Sequence, residues 1–205
     1  MATKSIQQYG SEWSYSNRVP LLVGLFTAVA VFGWIVSTFL SGIHFWGVPQ
    51  ISPDADISGS LEVITSQWAY VGPVPLATLG AFYYLTTILM AVWWLDTRHP
   101  LIIKALTPLT ASGVVASAYF VYLQLGVIGA ICPFCMMSAG ASVVLFALEL
   151  IILRKTTSSS LSVMLDDTSQ LLSTTSFKWL ILVAAMGLFT LGAFFGVTLA
   201  PLPIE

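Results

Sequence analysis

A chain of 205 residues in which 57% are apolar and only 8% charged, with a mean hydropathy of +0.91, is not a soluble domain of ordinary composition. Its formal net charge is −2, and nucleic acid is not among the partners to expect. Backbone polar groups in lipid must satisfy one another, and the apolar segments are too long and uniform for barrel strands, so the sequence predicts an all-α membrane protein.

Residues 1–17 are polar and contain Ser and Tyr, unlike the n-region of a signal peptide. The apolar stretch that follows, 20–43, is about twice a typical h-region, which predicts a retained tail (1–19) leading into a first span. His44 closes that span as an interfacial residue, with a proton-handling role as the alternative. Between the first two spans, residues 56–70 place Ile57, Leu61, Ile64, Trp68 and Val71 at helical spacing, with Glu62, Thr65 and Gln67 elsewhere on the wheel. A short helix lying on the membrane surface is expected there.

The second span, 74–95, ends before a tight turn in which His99 precedes Pro100, a structural position. Spans at 106–131 and 136–153 follow, separated only by Cys132, Pro133, Phe134 and Cys135. Residues 155–178 form a Ser/Thr-rich linker that keeps Leu161, Met164, Leu165, Leu171 and Leu172, enough for an interfacial helix within flexible chain. The fifth span, 179–199, carries Gly192 and Gly196 in a G-x-x-x-G, a spacing that lets helices approach closely in lipid. Each stretch is near the ~20 residues that a ~30 Å hydrocarbon core demands.

Charge orients the chain. Lys4, Arg18, Arg98, Lys104, Arg154, Lys155 and Lys178 are its only Lys and Arg residues, and five alternating spans put all of them on one side. The positive-inside rule makes that side cytoplasmic, leaving the N-terminus inside and the C-terminus outside. Trp46 and Trp68 at the outer edge, with Trp93, Trp94 and Trp179 at the inner edge, fit two aromatic belts.

No sequence repeat, Gly-rich phosphate loop or His/Asp/Glu cluster with metal-ligand spacing is present, so no metal is expected. The candidate chemistry lies in Cys132 and Cys135, the only cysteines, at the outer end of the third and fourth spans. Pro133 suits the first position of a helix, because its missing N–H would be unpaired there. Cys132 then caps the helix and Cys135 lies one turn in. Two such cysteines can close a tight disulfide, and the helix N-terminus stabilises a thiolate. One sulfur is expected to face water and the other the bilayer, a geometry for passing electrons between a water-borne dithiol and a lipid-borne acceptor. Structural zinc would need two further ligands that the sequence lacks. A buried thiol pair or an inert disulfide is the plain alternative.

The motifs around these cysteines resemble those of the vitamin K epoxide reductase family, which links disulfide formation to quinone reduction. SAYFVYL at 117–123 and AICPFCMMSA at 130–139 are similar to the family's third span, its redox C-x-x-C and the start of its fourth span. GSLEVITSQWA at 59–69, GPVP at 72–75 and GAFYY at 80–84 are similar to its outer half-helix and second span. The resemblance covers roughly 20–153 and implies a four-helix bundle over 20–154 closing around a quinone near the outer surface, with the fifth helix and a short outer tail (179–205) added. It further implies that Cys135 contacts the quinone together with Ser66, Trp68 and Phe134, that Cys132 exchanges disulfides with the aqueous side, and that the half-helix forms a lid. Menaquinone, ubiquinone and plastoquinone remain open, as do a bacterial-type plasma membrane and a thylakoid.

In two respects the chain departs from the family pattern. The family's outer loop carries a relay cysteine pair; here Ser60 occupies the position of the second, and no cysteine lies between His44 and Ser60. No thioredoxin-like domain follows the fifth span in this sequence. Three readings follow. One is a thiol:quinone oxidoreductase fed by a separate outer-face thioredoxin-like protein. Another is a catalytically reduced subunit of a larger respiratory or photosynthetic complex. The third is a quinone- or pigment-binding module without turnover.

Overall fold

The computed structural model describes residues 14–15, 17–46, 58–157 and 177–198. Among the described residues six helices carry the fold: α1 (Val19–Trp46), α2 (Ser58–Thr65), α3 (Leu76–Thr97), α4 (Pro100–Leu123), α5 (Pro133–Arg154) and α6 (Phe177–Thr198). Four of these, α1, α3, α4 with the turn that prolongs it, and α5, are long and apolar enough to cross a membrane. The chain is thus an all-α integral membrane protein.

These four pack as an antiparallel bundle. α1 lies against α3 and α5, α5 against α4, and α3 against α4. The inward residues recur at helical spacing: Val19, Val23, Phe26 and Ala30 on α1, and Ala141, Leu145, Leu148 and Ile152 on α5, all buried. Outward residues such as Leu21, Leu25 and Ile35 are equally apolar but exposed. Lipid is as greasy as Leu, so close packing rather than the hydrophobic effect holds the helices to one another.

Arg18, the Arg98–Lys104 turn, Arg154 and Lys155 gather at one end of the bundle. A two-residue antiparallel pairing of β1 (Ser14–Tyr15) with β4 (Thr156–Thr157) ties the start of α1 to the end of α5 at that same end. The chain turns from α3 into α4 through Arg98, held left-handed at φ 53, and His99, whose Nδ1 accepts the Leu101 N–H at 3.2 Å. Trp94 departs from the interface expected for it. It is fully buried, with the Arg98 guanidinium 4.7 Å above its ring, because α3 turns this residue into the bundle. Trp93 is only partly buried.

α6 runs along the outside of α1 and α3, fixed by Trp34 Nε1 donating to Thr190 Oγ1 at 3.0 Å and by the Trp34 ring against Phe189. The face docked there carries Val183 and Met186. Gly192 has open space around it, and the side-chain surroundings of Gly196, His44, Trp46 and Trp179 lie outside the described residues. So does the linker helix expected around 161–172.

Candidate functional site

The opposite end of the bundle is built around the two cysteines. α4 does not run straight to them. After Leu123 the helix widens into a π-helical turn, Gln124–Ile128, and stops at Gly129 (φ 77). The chain then crosses to α5, which starts at Pro133 with Cys132 as its cap. The Cys132 N–H has no place in either helix, and Gln124 Oε1 accepts it at 2.9 Å. The Cys132 sulfur in turn accepts the Cys135 N–H at 3.2 Å, the capping geometry that the C-P-x-C spacing implied.

α2 closes over this loop. Its apolar face, Val63 and Ile64 with Leu61, meets Leu40, Ala130 and Cys132 in a small core of its own. The approach is close enough that a Cβ on Gly59 would lie 2.7 Å from the Ile131 carbonyl oxygen, so only glycine fits. The helix is shorter than its hydrophobic periodicity suggests. The Thr65 and Ser66 hydroxyls bond back to the Leu61 and Val63 carbonyls, and Ser66 turns extended, which ends the helix by local competition for its backbone groups. A 3-10 turn (Gln67–Ala69) and a hairpin of β2 (Tyr70–Val71) with β3 (Val74–Pro75) complete the cover.

This cover corrects one expectation. The Cys132 sulfur does not face water: the residue is 0% exposed, because the half-helix must bury its apolar face and does so on the cysteine loop. Both cysteines are free thiols, Cys132 buried and Cys135 half-buried. The Cys135 thiol hydrogen-bonding to it, backbone N–H groups of Cys135 and Phe134, and the neighbouring Ser60 hydroxyl draw the Cys132 thiol down to about 6, against the opposing effect of burial. Ser60 is itself buried, and its Oγ sits near the sulfur without the alignment of a true hydrogen bond.

Beneath α2 and between α3, α4 and α5 lies a cavity of about 430 Å³. Cys135 lines it, as do Ser66 and Trp68 from the cover. Phe134 is not part of that lining; its ring packs on Phe39, centroids 5.3 Å apart, since the first turn of α5 points it away from the cavity. The walls are mainly apolar, with a few hydroxyls. Tyr84 Oη donates to the Ser138 carbonyl at 2.6 Å and meets Ser142 Oγ at 3.0 Å, and Ser37 Oγ approaches Ser138 Oγ at 3.4 Å. Tyr83 Oη is buried close to the Ser142 hydroxyl but without the alignment of a hydrogen bond. It reaches its position because Gly113 has no side chain; a Cβ there would overlap the Tyr83 ring.

Sequence reasoning missed Ser37, Tyr83, Tyr84, Gln124, Ser138 and Ser142. A signal was available. Ser138 and Ser142 lie four apart on an apolar span, and Gln124 is an amide inside another; polar groups at membrane depth mark function more often than packing. Glu149 falls under the same rule but belongs elsewhere. It is buried near the basic end of α5, accepts from Thr107 Oγ1 at 3.2 Å, and does not line the cavity. Among the described residues no group of three metal-ligating side chains occurs.

A thiol pair at a helix cap beside an apolar membrane cavity is an arrangement for redox chemistry, and comparison with known families agrees. Residues 24–150, more than half of the chain, match the profile of the Vitamin K epoxide reductase family. The chain belongs to that family. Membership assigns membrane oxidoreductase chemistry in general terms, and reductases of the vitamin K epoxide reductase family use quinones. No individual curated protein matches the chain.

Proposed function

We propose that the chain is a dithiol:quinone oxidoreductase in which Cys132 and Cys135 carry the electrons and the cavity beneath α2 holds the quinone. The single observation that carries this reading is that Cys135 lines an apolar cavity while its hydrogen-bonded neighbour Cys132 lies outside it, at the aqueous end of the bundle.

The residues present fit a quinone. Apolar walls suit a ring with a lipid tail, and the unpartnered Tyr83 Oη is a buried donor suited to a carbonyl oxygen. A bound quinone supplies a two-electron, two-proton acceptor against which the Cys132–Cys135 disulfide re-forms. The protein's own part is thiol exchange. A thiolate of an outer-face thioredoxin-like partner attacks the Cys132 sulfur of the disulfide, forming a mixed disulfide and releasing Cys135 as the leaving thiolate. The partner's second thiol then displaces Cys132, so the partner loses two electrons and two protons and the pair gains them. In that second step Cys132 leaves readily because its thiolate is stabilised. Exchange also requires α2 to lift, since the sulfur is fully covered.

Cys135→Ser tests this reading. Without Cys135, a Cys132 that has attacked an oxidised outer-face protein can be displaced only by that protein's own second thiol, so a mixed disulfide is expected to accumulate, and Cys132→Ser to trap nothing comparable. Equal absence of mixed species in both variants contradicts the assignment.

One observation favours a second reading, a catalytically reduced subunit of a larger membrane complex. The side chain beside the Cys132 sulfur is the Ser60 hydroxyl, which cannot exchange disulfides. Stoichiometric co-purification with such a complex, together with an inert thiol pair, would select this reading over the first.

A further inference from the structure

We infer that Gln124 is a positioning residue that links the occupant of the cavity to the cysteine loop: its amide oxygen fixes the Cys132 N–H, and its amide NH2 is the donor for an oxygen acceptor bound in the cavity. The inference rests on the quinone reading above and adds to it a residue that couples the ligand to the exchanging cysteine.

The argument is one of donors and acceptors. A backbone N–H can only donate, so the group facing Cys132 at 2.9 Å is the Gln124 carbonyl oxygen, which fixes the orientation of an amide otherwise ambiguous in its two ends. The two N–H donors of Nε2 are then turned away from the loop. Among the described residues the side chain makes no other hydrogen bond, yet the residue is 3% exposed and lines the cavity. Nε2 is not among the fully enclosed unpartnered atoms, so these donors open onto the cavity, where a ligand or water completes them. The π-helical turn supplies the geometry: it starts at Gln124, and such widened turns inside helices recur at functional sites. Gln124 itself keeps the α-helical register of α4, its N–H reaching the Phe120 and Val121 carbonyls, and the widened turn redirects the residues after it, those that lead round to Cys132.

Two isosteric variants of the full chain separate the two ends of the side chain. Gln124→Met removes both. Gln124→Glu, ionised at about pH 9, keeps an acceptor for Cys132 and offers no donor to the cavity. The readouts are the pH profile of Cys132 alkylation in reduced, quinone-free protein in nanodiscs, and equilibrium binding at about pH 9 of a short-chain benzoquinone, whose carbonyl oxygens only accept, to the chain with Cys132 and Cys135 changed to Ser, which it cannot oxidise. In Q124M the loop loses its anchor, the Cys135 N–H no longer holds the sulfur, and the alkylation midpoint rises by about one pH unit. Quinone binding weakens about 3- to 10-fold in both variants, the effect of one lost hydrogen bond, while Q124E keeps the thermal midpoint of the chain with Gln124 intact. An unchanged alkylation profile in Q124M overturns the positioning role. Quinone binding as tight in Q124E as with Gln124 intact overturns the coupling and leaves the quinone reading intact. A chain with Gln124 intact that binds no quinone removes the quinone reading, and this inference with it.

Discussion

The two thiols are chemically unequal although three residues apart. Cys132 sits at the helix cap with donors aimed at its sulfur, whereas Cys135 lies within the span and donates to it. A depressed pKa means that the thiolate persists as pH falls until about 6. The rate of Cys132 alkylation by a small neutral reagent is therefore expected to be flat above pH 7 and to fall through a midpoint near 6. A midpoint in the ordinary thiol range of about 8.5 would show that the cap geometry is not maintained. Ser60 belongs to the same microenvironment. The resemblance of GSLEVITSQWA implies that Ser60 stands at the family's loop-cysteine position, whereas its nearness to the sulfur is a tertiary fact that no local pattern encodes.

At the scale of elements, the half-helix decides access. α2 is held on the cysteine loop by Val63 and Ile64 and by the close passage of Gly59 over the Ile131 carbonyl. Gly59→Ala would push a methyl group into that oxygen and weaken the closed state by about 1 kcal/mol, enough to raise the open fraction about fivefold. Cys132 alkylation at fixed pH is expected to speed up by that factor while the alkylation midpoint stays put. No acceleration would mean that α2 is not the cover. Helix periodicity revealed that α2 exists but not where it ends, because Thr65 and Ser66 stop it through side-chain hydrogen bonds rather than through a change in hydrophobic pattern. Periodicity likewise could not show the π-helical turn at Gln124, a single-residue adjustment within an apolar run. The four spans and the cap at Cys132 were legible, since lipid demands length and apolarity and Pro133 marks a helix start. Trp94 misled, because an aromatic near a span end can point inward as readily as toward headgroups.

For the whole molecule, charge and topology tell the same story. Arg18, Arg98, Lys104, Arg154 and Lys155 cluster at the end of the bundle away from Cys132, and we propose from the positive-inside rule that this end is cytoplasmic. Single cysteines introduced at two exposed positions, Glu62→Cys on α2 and Asp96→Cys at the basic end, in a chain with Cys132 and Cys135 changed to Ser, test the orientation. A membrane-impermeant thiol reagent added outside is expected to label E62C in intact cells and D96C only after permeabilisation. The reverse pattern would invert the molecule and deny an outer-face partner any route to the cysteine loop.

The central claim, that Cys132 and Cys135 deliver electrons to a quinone in the cavity, is tested most directly by turnover without a protein partner. Dithiothreitol is small enough to reach the loop when α2 opens and needs no relay cysteine. The full chain in nanodiscs is expected to catalyse reduction of a short-chain quinone by dithiothreitol, and Cys135→Ala to fall to the rate of the protein-free mixture. A wild-type rate no higher than that background, or a Cys135→Ala variant as fast as the wild type, would contradict the account.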